Sequence, residues 1–261
     1  MRTDAGIYCE EHGPAGAPAM ILSPGLGGSG NYWQQNMAAL SQRYRVILYD
    51  HRGTGRSDRA LPEIVTVEQM ADDLLGVAEA LGVSQPIIVG HAAGGLAGLA
   101  LALKAPERVA RLVLVNAWSK PDPHLMRCFE TRLALLRDSG PAAYLRAQPL
   151  FLYPARFISQ MRDLIAHEET QQLAHFAGVE AYEKRIAALL AFDVDDRLGD
   201  VRVPTAIIAS EDDMLVPYTC SERLAAAIPG AELAMLRWGG HACNVTVAET
   251  FNRVLLEILE A

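Results

Sequence analysis

Ile88-Val89-Gly90-His91-Ala92-Ala93-Gly94-Gly95 places the pattern Gly-x-Ala-x-Gly directly after an apolar, β-branched run. Glycines on both sides of a central residue permit a sharp turn from a strand into a helix, which lifts the central side chain into a site. Where such a turn serves catalysis, its central residue is the nucleophile. Here Ala92 offers only a methyl group. Serine or cysteine chemistry at this position is excluded, so any catalysis must run on other groups.

Outward from this turn, strand and helix signals alternate. Residues 20–22, 45–49 and 86–89 read as buried strands. The first ends in Ser23-Pro24-Gly25-Leu26-Gly27-Gly28, and the second in Asp50-His51-Arg52-Gly53-Thr54-Gly55-Arg56-Ser57. Residues 67–81 put Met70, Leu74, Val77 and Leu81 on one side of an amphipathic helix. The alanine- and glycine-rich stretch 96–103 predicts a helix pressed on a sheet, and 109–116 a further strand. Such alternation predicts an α/β fold with a mostly parallel sheet and helices on both faces.

From 119 to 195 the strand signals vanish. Amphipathic segments at 128–136, 164–176 and 182–192 are separated by Pro and Gly breaks, with Pro149-Leu150-Phe151-Leu152-Tyr153-Pro154 as an apolar, aromatic loop. The pattern predicts a helical cap, 119–195, inserted into a core formed by 1–118 and 196–261. That core resumes with strands at 203–209 and 233–236 and closes with an amphipathic helix at 248–259.

Bulk properties narrow the function classes. A chain of 261 residues, 51% hydrophobic, is long enough for one α/β domain with a modest insertion. No apolar run approaches the ~20 residues of a membrane span. The N-terminus lacks a basic-then-apolar signal pattern, so the expected location is cytoplasmic. A formal net charge of −8 argues against nucleic acid or an anionic membrane as partner. Cys9, Cys128, Cys220 and Cys243 are scattered without metal-site spacing, and are expected to be reduced thiols. The expectation is therefore a small-molecule substrate and neither a metal nor any other cofactor. Apolar surface on the cap and closing helix would suit a homodimer.

Two later segments complete a constellation, because open α/β sheets build sites at the C-terminal ends of their strands. Ser210-Glu211-Asp212-Asp213-Met214-Leu215-Val216-Pro217 follows the strand at 203–209, and Trp238-Gly239-Gly240-His241-Ala242 follows the last strand. Elbow, acid, histidine is the chain order of the α/β-hydrolase triad. Spacing to Val216-Pro217 matches Asp213 to the acid, with Asp212 and Glu211 as neighbouring alternatives, and His241 to the histidine. Such a pair fixes the imidazole tautomer and stabilises its protonated form. Backbone N–H groups of Leu26 and Ala93 occupy the positions of the anion-stabilising donors, and main-chain donors survive an alanine at the elbow. Trp33, His91 and Trp118 are expected at the pocket wall, with Tyr32, Phe151 and Tyr153 as further wall or cap packing. Cys243 reads as inert packing and Asp50 to Ser57 as an architectural turn.

Together these segments resemble the pyrimidine-utilisation RutD family of the α/β-hydrolase superfamily. The likeness rests on Pro24-Gly25-Leu26-Gly27-Gly28-Ser29-Gly30 with Tyr32-Trp33, on Asp50 to Gly55, and on Gly90-His91-Ala92. It also rests on Arg127-Cys128-Phe129, on Ala147 to Ala155, and on Gly239-Gly240-His241-Ala242-Cys243-Asn244-Val245-Thr246. It spans all but the first dozen or so residues. The resemblance implies that alanine at the elbow is natural, and that the chain serves uracil breakdown as a hydrolase of carbamate or aminoacrylate. Neither reaction requires a covalent intermediate. His241, oriented by Asp213, would move the protons, a contribution of roughly a hundredfold to ten-thousandfold. Other readings stay open: a serine-type ester or amide hydrolase inactivated at Ala92, a non-catalytic ligand-binding protein on the same scaffold, or a cofactor-free lyase or oxygenase using the Asp–His pair.

Overall fold

Successive residues of a strand point to opposite faces of its sheet, and here both faces are apolar. In the computed structural model, which describes residues 1–260, seven strands form one sheet. They are β1 (Cys9–His12), β2 (Ala19–Ser23), β3 (Arg45–Tyr49), β4 (Ile87–His91), β5 (Arg111–Val115), β6 (Thr205–Ser210) and β7 (Glu232–Leu236), in the order β1-β3-β2-β4-β5-β6-β7. Every neighbouring pair is parallel except β1 with β3. The helices are α1 (Gln34–Leu40), α2 (Val67–Ala80), α3 (Ala93–Lys104), α4 (Pro123–Leu152), α5 (Ala155–Gln160), α6 (Arg162–Ala174), α7 (Val179–Ala191), α8 (Tyr218–Ala227), α9 (Cys243–Thr246) and α10 (Ala248–Glu260).

Ile21, Ile47, Ile88, Leu112 and Ile207 pack with α2, α3 and α8 on one face of the sheet. Met20, Leu22, Val46, Val89, Val113 and Ile208 pack with α1 and α10 on the other. Phe251 and Leu255 of α10 are buried there, so the apolar stripe of the closing helix is covered within the chain. No described helix is long and apolar enough to cross a membrane.

Two local readings are corrected. β1 has no counterpart in the sequence pattern, because Cys9-Glu10-Glu11-His12 is mostly polar. An edge strand held by backbone pairing to β3 tolerates charge, which also discourages further pairing. The stretch from Pro149 to Leu152 is not a loop but the last turn of α4. α4 breaks at Gly140 (φ 83°), and Pro141 opens its second half. Pro149 forgoes one helical hydrogen bond, while it is itself buried and Phe151 and Leu152 pack on the main core. α4 to α7 all fall between β5 and β6 and stand over the C-terminal ends of the strands, with the carbonyl of Leu152 accepting from the N–H of Ala242 at 3.0 Å.

Candidate active site

β4 enters α3 through Ala92, whose φ of 46° and ψ of −112° lie where a non-glycine residue is strained by about 1–3 kcal/mol. Hydrogen bonds on both sides hold it there. The Ala92 N–H donates to the Val115 carbonyl (2.9 Å), and its own carbonyl accepts from the Leu96 N–H (3.0 Å). The flanking glycines answer to crowding. A Cβ on Gly94 would stand 2.2 Å from the Ser23 carbonyl oxygen, and one on Gly90 would stand 2.4 Å from that of Gly94. The turn thus keeps the geometry of a nucleophile elbow while presenting a methyl group.

Asp213 is the acid. Its Oδ2 accepts from His241 Nδ1–H at 2.8 Å, with both side chains almost wholly buried. Its Oδ1 accepts from the N–H groups of Leu215 (2.8 Å) and Val216 (2.9 Å), so the carboxylate is fixed from both ends. Asp212 does a different job: it accepts from the Gly240 N–H at 2.8 Å and pins the histidine loop. Glu211 is exposed. With Nδ1 committed to Asp213, the other ring nitrogen of His241, Nε2, has no partner among the described residues and is the one left for chemistry.

His91 supports that loop. Its ring lies 4.6 Å from that of His241, and its Nε2–H donates to the His241 carbonyl at 2.8 Å. A carbonyl cannot donate, so Nε2 carries the proton and Nδ1 keeps a lone pair, directed at Gly25 without a hydrogen-bond partner. Burial, reinforced by the neighbouring His241, holds His91 well below the ordinary imidazole range and keeps it neutral. The Tyr32 ring lies 4.8 Å from that of His91, tilted by 32°, and its hydroxyl donates to Asn244 Oδ1 at 2.7 Å.

Asn116 is a residue the sequence reading missed. It follows β5 with φ of 46°, donates through Nδ2 to the His241 carbonyl at 2.7 Å, and accepts from the Ser210 N–H at 3.1 Å. One side chain therefore ties the acid-bearing strand to the histidine loop. A lone asparagine at a strand end gave no motif, although its capacity for a left-handed backbone was the available signal.

The two expected amide donors are free. Among the described residues neither the Leu26 nor the Ala93 N–H donates to a protein acceptor, and Ala93 opens α3, where the helix dipole adds to the attraction for negative charge. Trp118 is buried in the core that also holds Ala92 and Phe129, its Nε1 without a protein partner. Trp33 is placed differently from the expectation. It is fully buried on the α1/α10 side of the sheet, 6.2 Å from Phe251, and meets Tyr32 edge-on at 5.6 Å. Adjacent residues in a helical turn point apart, so Tyr32 reaches the site and Trp33 backs it from the core.

Cys243 lies beside the site but burial pushes its thiol up to about 12, leaving it protonated. Asp50 is structural: its carboxylate accepts from the N–H groups of Gly30 and Arg56, both at 2.8 Å, and from the Arg56 side chain. Among the described residues no group of three or more His, Cys, Asp or Glu side chains is placed to hold a metal ion.

Comparison with known proteins agrees with this geometry. A family profile described as alpha/beta hydrolase fold matches residues 18–172. A protein of Caulobacter vibrioides (strain NA1000 / CB15N) named "Putative carbamate hydrolase RutD" is 53% identical over 257 residues, covering 98% of this chain and 96% of its own length. The chain belongs to the RutD family of α/β-hydrolases. Beyond that family the fold is shared with the enol-lactonase of Burkholderia xenovorans, at 27% identity, a TM-score of 0.88 and coverage of 98% and 96%. A serine-to-alanine mutant of the meta-cleavage product hydrolase of Pseudomonas fluorescens, complexed with acetates, matches at 27% identity and a TM-score of 0.78, with coverage of 97% and 94%.

Proposed function

We propose that this chain hydrolyses a small anionic C–N substrate of uracil degradation, carbamate or aminoacrylate, by acid–base catalysis without a covalent intermediate. The observation that carries the reading is the buried Asp213–His241 pair at 2.8 Å, retained beside an elbow with no nucleophile. Ester and amide hydrolysis through an acyl-enzyme would need the missing hydroxyl. Proton transfer does not.

With carbamate, His241 in its protonated form donates from Nε2 to the substrate nitrogen. The C–N bond breaks with its electron pair going to nitrogen, and ammonia and carbon dioxide leave. With aminoacrylate, protonation at carbon gives an imine, water adds to the carbon bearing nitrogen while His241 accepts the water proton, and ammonia departs to leave an aldehyde. Asp213 stabilises the imidazolium in both. The Leu26 and Ala93 amides hold substrate oxygen, and the methyl of Ala92 leaves room for the substrate or the water. The name of the Caulobacter relative favours carbamate as the substrate class. Four free, buried cysteines suit the reducing cytoplasm in which uracil nitrogen is used.

The test is ammonia release from fresh carbamate and from aminoacrylate, each followed with and without the protein. Saturable acceleration of one of them above its spontaneous decay is the expected result. Saturable binding of both with no acceleration would replace the enzyme by a binding protein.

A further inference from the structure

Arg185 of α7 is 3% exposed, yet neither its Nη1 nor its Nη2 has a hydrogen-bond partner among the described residues. An unpaired charge so deeply buried is costly unless something of opposite sign meets it. The cap's other buried arginine, Arg132, spends its Nη2 on Tyr144 and Gln148 and lies over the Phe129 ring, so it is part of the cap's own packing. Arg185 has no such employment. Around it stand tyrosines rather than carboxylates: burial lowers its hold on the proton, and only Tyr182, Tyr144 and Tyr49 work in the opposite direction. A guanidinium nonetheless stays charged in protein interiors.

Its position ties it to the site. Nη2 lies 2.9 Å from where a Cβ would stand on Gly28, the residue that closes the turn begun at Gly25 by donating to its carbonyl at 3.0 Å. Leu26, with its free N–H, belongs to that same turn. Arg185 and His51 also line a cleft of about 450 Å³ whose other walls come from core residues between Arg52 and Asp73, a volume suited to a small ligand. The carboxylates bordering the cleft are already engaged, Asp73 with Arg52 and Asp72 with Lys104. The fork is left to a ligand.

We propose that Arg185 is the specificity-determining residue for substrate charge: its free Nη1–Nη2 edge takes the carboxylate or carbamate CO2⁻ group of a small monoanion beside the Gly25–Gly28 turn. The planar fork matches two oxygens of such a group, which a lysine ammonium would not. This assignment rests on the acid–base reading above and names the class of anion that reading requires.

Propionate tests it, because propionate has the charge and no C–N bond to break. Its binding is measured calorimetrically at low ionic strength on the wild type, Arg185→Met, Arg185→Lys and His241→Ala, with inorganic phosphate as the competing anion. The expected result is saturable propionate binding to wild type and His241→Ala, at least tenfold weaker binding to Arg185→Lys, and none to Arg185→Met. In turnover, Arg185→Lys should raise KM at least tenfold while kcat changes less than threefold. Propionate binding equal in Arg185→Met and wild type overturns the assignment, as does a wild type that binds no carboxylate or only phosphate. If the methionine variant does not fold, the lysine variant and the wild-type titration decide. Intact binding with turnover unaffected in His241→Ala would instead sink the acid–base reading and leave the anion site standing.

Discussion

Ala92 holds its unusual φ without glycine's freedom, so the turn is maintained by the close fit of Gly90 and Gly94 rather than by the residue at its apex. Replacing Gly94 by alanine drives a methyl into the Ser23 carbonyl at 2.2 Å. The expected cost is about 3 kcal/mol, read as a lowered denaturant midpoint at unchanged slope; a midpoint equal to wild type would show that the turn has slack. Ala92→Ser places a hydroxyl where the proposed mechanism needs room. It should lower carbamate or aminoacrylate turnover by about tenfold or more, or roughly 1.4 kcal/mol of barrier. If serine instead confers large turnover of activated esters and leaves the amine-releasing reaction untouched, the chain is better read as a serine hydrolase that lost its nucleophile. Asp213→Asn removes the charge that stabilises the imidazolium and permits the wrong tautomer. A fall in kcat of roughly a hundredfold to ten-thousandfold is expected, with the fold intact by circular dichroism.

Elements position these residues with different degrees of visibility in the sequence. The elbow, the acid loop and the histidine loop were legible because each joins a strong apolar strand to a turn rich in glycine or acid. β1 was not, because an edge strand is held by backbone hydrogen bonds that leave no apolar pattern, and Cys9-Glu10-Glu11-His12 looks like surface. The end of α4 was misread because Pro149 signals a break locally, whereas contacts of Phe151 and Leu152 with the core are made across the molecule. Asn116 escaped for a similar reason: its partners, Ser210 and His241, are 94 and 125 residues away. Asn116→Ala removes the tie between those loops and leaves the His241 carbonyl with His91 alone. It should reduce kcat while global stability falls by about 1–3 kcal/mol, the cost of an unsatisfied buried group.

At the scale of the molecule, two buried histidines near the site, His51 and His91, are held neutral in a chain of net charge −8. Burial, with the Arg185 guanidinium nearby, draws His51 down from 6.5 to about 3, and His91 is lowered as well. Below pH 6.5 the unfolded chain takes up protons at both positions and the folded chain does not, so stability must fall with pH. For His51 the loss continues until about pH 3 and reaches about 2 kcal/mol at pH 5. Thermal unfolding of wild type should therefore weaken more steeply from pH 7 to 5 than that of His51→Gln; parallel curves would contradict the buried, neutral assignment.

The central claim, that His241 and Asp213 carry catalysis around an alanine, is tested most directly by one rate ratio. Enzyme-dependent ammonia release from the better of carbamate and aminoacrylate is measured for wild type and for His241→Ala at equal folded concentration. The account predicts a loss of roughly a hundredfold or more in the alanine variant. Full turnover by His241→Ala would contradict it.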